Sequence, residues 1–212
     1  AILDPELPAT MPPAVTANTG MDVMAHAVEA AASTAATSFT DPYALEAIAL
    51  VLANLEKAYK NPKDMDARFA MHNASALAGM AFTNASLGLV HSLAHKIGGE
   101  FGVTHGLANA ILLPYIVDFN RRYSPKYAAI EKALGVADIA EEIRKLNRKL
   151  GIPAAFKDCG EVDFVEKRFL EVLDRMSANA LADPCSLTNP GKPTVADVKA
   201  IYAAAYYGRS MK

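Results

Sequence analysis

The chain has 212 residues, 52% of them hydrophobic and 21% charged, with a formal net charge of −2. This composition describes one large domain or two small ones with a sizeable core and excludes a disordered chain. The charge balance supplies no long-range attraction for phosphate backbones or anionic lipid, which sets aside nucleic-acid and membrane-surface partners.

The first element expected is a short strand, Ala1–Leu3, followed by an extended segment through Pro13, because prolines 5, 8, 12 and 13 oppose helix. A lone strand has no pairing partner, so residues 1–15 read as the end of a preceding domain and its linker, and 16–212 as a helical domain. This opening stretch also lacks the basic region and cleavage-like segment of a signal peptide. The pattern then becomes helical. A run from Met21 to about Ser33 follows Thr19-Gly20. Thr40-Asp41-Pro42 opens a helix to about Tyr59, with proline near the first helical position. Asp64 opens the next, to about Phe82. Leu87–Ile97 is expected to be closed by Gly98-Gly99. Leu107–Phe119 is apolar nearly all round and belongs at the bundle centre. Pro114 within it should bend the helix or lie where a carbonyl is satisfied otherwise. Further helices are expected at about Pro125–Leu134, Ala137–Leu150, Asp163–Ser177 and Thr194–Tyr207, with a loop from Ala178 to Pro193. The fold class is all-α, a bundle of about eight or nine helices. No apolar run has the length of a membrane span. Cys159 and Cys185 alone make no disulfide scaffold, and a reduced, cytoplasmic setting is expected.

The chemistry-bearing residues are the histidines at 26, 72, 91, 95 and 105. Asp22 and His26 are four apart and stack on one helical face. His91 and His95 share that spacing in the apolar setting SLGLVHSLAH, and His105 follows a Gly-containing loop. One carboxylate with two or three imidazoles, drawn from two helices and a loop, forms a plausible ligand set for Fe²⁺ or Zn²⁺. An Asp/His pair at this spacing also occurs as a plain structural ion pair, and spacing alone leaves open which of His91, His95 and His105 would bind. His72 has no second ligand near it and reads as a core histidine satisfied by a hydrogen bond. The chain has no H-E-x-x-H, no Glu-x-x-His, no G-x-S-x-G and no phosphate-loop lysine motif. The glycines at 98, 99, 102 and 106 follow no strand, so they make no dinucleotide fingerprint; they read as loop residues that let His105 approach.

The segments GMDVMAHAVEA and GMAFTNASLGLVHSLAHKIGGEFGVTHGLANAILLPYIVDFN resemble the iron-containing (group III) alcohol dehydrogenases, and DPCSLTNPGKPTVADVKAIYAAAYYG is similar to the ending of such proteins. The resemblance covers essentially the whole chain. It implies the C-terminal helical domain of a dehydroquinate synthase-like fold, with an α/β dinucleotide-binding domain preceding it. By carry-over, Asp22, His26, His91 and His105 are metal ligands. His95 lies beside the metal on the proton side as a catalytic group, and Phe82 and Cys185 line the substrate pocket. The implied activity is hydride transfer between a small primary alcohol or aldehyde and NAD(P), with Fe²⁺, or Zn²⁺ in its place, as Lewis acid. NAD(P) binding is expected only with the preceding domain, and a homo-oligomer is expected. The alternatives are a metal-binding helical module without catalysis and a glycerol dehydrogenase-type relative.

Overall fold

The proline-rich start is more helical than its composition predicts. In this computed structural model, which describes residues 2–211, a short 3-10 helix spans Leu7–Thr10 and α1 runs from Pro13 to Ala32. Helix therefore begins at Pro13 and not at Met21. The reason is positional: at the first helical residue proline's missing N–H is one that has no partner anyway, and its fixed φ suits the helix. The expected strand is absent. Ala1 lies outside the described residues, Ile2 and Leu3 are not extended into a ladder, and no strand occurs among the described residues.

Eight more α-helices follow among the described residues: α2 Asp41–Lys60, α3 Met65–Ala85, α4 Leu89–Phe101, α5 His105–Asn120, α6 Lys126–Leu134, α7 Ile139–Lys149, α8 Glu166–Leu181 and α9 Val195–Tyr207. Several starts are set by side-chain caps. Asp64 accepts the Ala67 N–H at the head of α3, Asp138 accepts the Glu141 N–H at the head of α7, and Thr194 and Asp197 cap α9 reciprocally.

Two boundaries differ from expectation. Gly98 and Gly99 lie inside α4, which ends at Gly102, where φ is 79°. A helix is closed by the residue that turns left-handed, and only Gly102 of the three does so. The expected loop from 178 onwards is partly helical: α8 continues to Leu181, and a 3-10 turn follows at Pro184–Thr188, opened by Asp183 accepting the Cys185 N–H.

The core is built around α1 and α5. Every α5 residue except His105, Gly106 and Asp118 is buried, as its all-round apolarity predicts. Each fully buried Leu, Ile or Phe in this helix contributes about 1.5–3 kcal/mol of transfer free energy. α1 and α3 run in the same direction: Arg68 donates to Thr16 at one end, and His26 stacks on Phe82 at the other. α4 is held against α9 by the Tyr202 hydroxyl, which donates to the Leu93 carbonyl at 2.7 Å. Buried Asn189 exchanges side-chain hydrogen bonds with Asn120 and accepts the Leu89 N–H. That one residue ties the start of α4 to the end of α5. No helix among the described residues is long and apolar enough to cross a membrane.

Candidate metal centre

The bundle brings α1, α4 and α5 together at one point. Asp22 and His26 face it from α1, His91 from the first turn of α4, and His105 from the first residue of α5. His105 Nε2 lies 3.4 Å from Asp22 Oδ1, His91 Nε2 lies 3.7 Å from the same oxygen, and His26 Nδ1 lies 3.7 Å from Asp22 Oδ2. Donors about 2.1 Å from a tetrahedrally bound ion stand about 3.4 Å apart; Asp22, His26 and His91 offer ligand atoms within 4.8 Å of one another, and His105 joins them through its approach to Asp22. The rings are packed, His26 between Phe82 (centroids 4.5 Å apart) and His91 (4.4 Å).

The close approach of α5 to α1 depends on one glycine. A Cβ on Gly106 would stand 2.2 Å from the Asn18 carbonyl oxygen, so only glycine lets the start of α5 bring His105 this near. Glycines therefore do serve the approach of His105, through helix packing at position 106 and the left-handed turn at 102.

Electrostatics support a cation at this point. Burial pushes Asp22 up, but His91, His26 and Asn109 outweigh it and hold the carboxyl below its ordinary range. Burial, aided by His91, lowers His26 to about 4, which leaves it neutral with a lone pair to offer at neutral pH. Burial likewise lowers His105. His91 moves the other way. Burial opposes its charge, yet Glu29 on one side and Asp22 on the other raise it to about 9. Two carboxylates in this enclosed cluster thus draw positive charge to themselves, and a divalent ion meets the same need.

Asn109, one turn after His105, shows the same convergence. Its Nδ2 lies 2.5 Å from Asp22 Oδ1, 3.0 Å from His105 Nε2 and 3.3 Å from His91 Nε2, while its Oδ1 is buried without a hydrogen-bond partner among the described residues. Three metal-ligating atoms thus converge on one point, as a bound cation would require.

His95, one turn beyond His91, stands apart from this set. Its side chain is 39% exposed, its ring stacks on His105, and its Nδ1 lies 3.0 Å from Asp183 Oδ2, an oxygen that also accepts from Lys96 at 2.7 Å. Cys185 lies with His95 and Asp183. Burial and the Asp183 charge raise its thiol to about 12, so it stays protonated. Lys96 already neutralises Asp183, which disfavours a second cation there.

A cavity of about 560 Å³ opens beside the centre between α1 and α3. Asp22, His26 and Phe82 line one end, Met11, Val23 and Met71 its apolar wall; Cys185 is not among its lining residues. His72 also faces this cavity. Its Nδ1 is buried with no partner among the described residues, so the expected hydrogen bond to that atom is not made. His72 is half-buried in the wall between α1 and α3 and is not a core residue.

Glu29, Asn109 and Asp183 escaped the reading of the sequence. The first two carried a periodic signal: Asp22, His26 and Glu29 fall at i, i+4 and i+7, and His105 and Asn109 at i and i+4. Asp183, 87 residues from Lys96 in the chain, carried none.

The all-helical fold places the chain in a definite class, the C-terminal domain of a dehydrogenase family. The profile of the Fe-containing alcohol dehydrogenase family, C-terminal, matches residues 16–206. The chain is 42% identical to the NADPH-dependent butanol dehydrogenase of Clostridium saccharobutylicum, over 98% of this chain and 55% of that protein. It is 42% identical to the 1-propanol dehydrogenase of Citrobacter freundii, over 95% of this chain and 56% of that one. The solved iron-containing alcohol dehydrogenase of Thermococcus thioreducens superposes with a TM-score of 0.89 at 38% identity, over 99% of this chain and 55% of that structure. This chain belongs to the Fe-containing alcohol dehydrogenase family and corresponds to its C-terminal domain. It spans about half the length of these relatives.

Proposed function

We propose that the chain is the catalytic, metal-holding part of an alcohol dehydrogenase that interconverts a small primary alcohol and its aldehyde with NAD(P). The observation that carries this reading is the meeting of Asp22, His26, His91 and His105 donors at separations of 3.4–3.7 Å in a chain of this family. These four residues would hold Fe²⁺, with Zn²⁺ able to take its place. A bound ion would supply Lewis acidity to the alcohol oxygen. Residues 1–15 lead from a dinucleotide-binding domain, and 16–212 carry the chemistry. The names of the butanol and 1-propanol dehydrogenases among the relatives support a short primary alcohol. The apolar cavity wall agrees with them, and Phe82 in its lining would pack against the alkyl group.

The other residues act on geometry and protons. Phe82 fixes the His26 ring by stacking. Asp183 accepts from His95 Nδ1, which leaves Nε2 of an exposed imidazole free to take the alcohol proton and pass it to water. Cys185, held as a thiol, adds no charge beside His95 and Asp183. A reduced cytoplasmic setting and a homo-oligomeric assembly complete the proposal.

The test is elemental analysis of the full-length protein, purified without oxygen, as wild type and His91→Ala. About one ion per chain in wild type and a large loss in the variant are expected. Equal metal in both would sink the centre.

A further inference from the structure

Glu29 is a carboxylate almost without solvent, 6% exposed. Burying such a group costs several kcal/mol unless both oxygens are bonded. Both are. Oε1 accepts the Val90 N–H at 2.6 Å, and Oε2 lies 2.5 Å from His91 Nδ1. Val90 is the second residue of α4, so the carboxylate also sits at the positive end of that helix. Its ion-pair partner among the described residues is His91.

The route for this carboxylate is kept open by Gly88, the residue just before α4. A Cβ there would stand 2.9 Å from Glu29 Oε1.

An imidazole that ligates a cation carries one ring proton, and its position decides which nitrogen faces the ion. Glu29 can only accept, so it fixes the proton on Nδ1 and leaves the lone pair on Nε2. On the far side of the ring, the Asn109 amide nitrogen, a donor, faces Nε2 at 3.3 Å. Two neighbours on opposite edges therefore select the same tautomer, and the selected nitrogen is the one that faces Asp22.

We infer that Glu29 is a positioning residue which sets the Nδ1–H tautomer of His91 and thereby presents Nε2 to the metal centre. The inference rests on the metal-centre reading above. The competing role is purely structural, a cap for α4 through Val90. Glutamine separates the two. Glu29→Gln keeps the length and the acceptor for the Val90 N–H. Its NH₂ then faces His91 Nδ1 and donates to it, which favours the ring proton on Nε2 and so opposes ligation there. The flipped amide would instead set a donor against the Val90 N–H.

The experiment measures Co²⁺ affinity by chelator competition, together with the visible Co²⁺ spectrum and metal-free thermal unfolding. It uses the full-length protein as wild type, Glu29→Gln, Gly88→Ala and His91→Ala. Glu29→Gln is expected to weaken Co²⁺ binding about 10- to 100-fold and to alter the spectrum, while metal-free unfolding remains cooperative. Binding within about twofold of wild type overturns the inference. If Glu29→Gln does not fold, Gly88→Ala decides: it keeps every ligand and Glu29 itself, crowds the carboxylate at 2.9 Å and Asn189 Oδ1 less closely at 3.3 Å, and an unchanged metal-free melting midpoint shows that Asn189 still holds α4. Weaker Co²⁺ binding supports the inference and unchanged binding overturns it. If His91→Ala leaves affinity unchanged, the metal-centre reading falls as well. If His91→Ala loses binding and Glu29→Gln does not, the positioning role alone falls.

Discussion

The Asn147 side chain donates from α7 to the Ala110 carbonyl of α5 at 2.7 Å. Ala110 is the residue whose helical partner would be the N–H of residue 114, and residue 114 is proline. A long-range amide thus satisfies the carbonyl that Pro114 orphans in the middle of the most buried helix. Asn147→Ala should destabilise the fold by about 1–3 kcal/mol, the cost of a buried carbonyl left alone. Urea unfolding of Asn147→Ala, Pro114→Ala and the double variant checks this. Restoring an N–H at 114 should recover part of the loss, so additive effects would contradict the account.

Gly106→Ala should separate α5 from α1. Its Cβ would meet backbone, the Asn18 carbonyl, which cannot swing aside as a side chain can. A destabilisation of about 1–3 kcal/mol is expected, together with reduced metal content, because His105 is the adjacent residue. Full metal content and an unchanged melting midpoint would show that the two helices do not need this contact.

His95→Ala should lower turnover of the full-length enzyme by about 10²- to 10⁴-fold, the usual range for loss of a proton-transfer group, with metal content intact. Asp183→Asn should give a smaller loss, since His95 remains but is no longer oriented. Steady-state kinetics and elemental analysis on the same samples decide. Loss of metal in His95→Ala would make His95 a ligand.

Asp183 should also shape the acid limb of stability. Burial pushes its carboxyl up, but hydrogen bonds from Lys96, His95 and the Cys185 N–H outweigh burial and hold it well below 3.8. A carboxyl depressed in the folded state contributes fully above its unfolded pKa and loses that contribution as pH falls through the folded value. Stability should therefore decline with pH below about 3.8 through this group, and Asp183→Asn should flatten the curve there. Urea unfolding from about pH 5 to about pH 3 tests this; parallel curves would refute it.

Much of the bundle was legible in the order of residues, because helices record themselves locally. The 3.6-residue period marked α2, α3, α5, α7 and α9 to within a few residues, and the all-round apolarity of α5 marked it as central. The misreadings have local causes. Proline was taken as an obstacle where it is a starter, at Pro13, and Gly98-Gly99 as a stop where φ stays helical and Gly102 makes the turn.

The site divides in the same way. Spacing along the chain put Asp22 with His26 on one helical face and His91 with His95 on another, since residues four apart share a face in any α-helix. Whether those faces meet is a matter of packing between elements distant in sequence. Only the tertiary structure brings α1, α4 and α5 to one point, joins His95 to Asp183, opens a cavity beside Phe82, and sets Glu29 behind His91. Local pattern fixes which way a side chain points from its own helix; the partners it finds there depend on how helices pack, through contacts such as Gly106 on Asn18 and Gly88 beside Glu29.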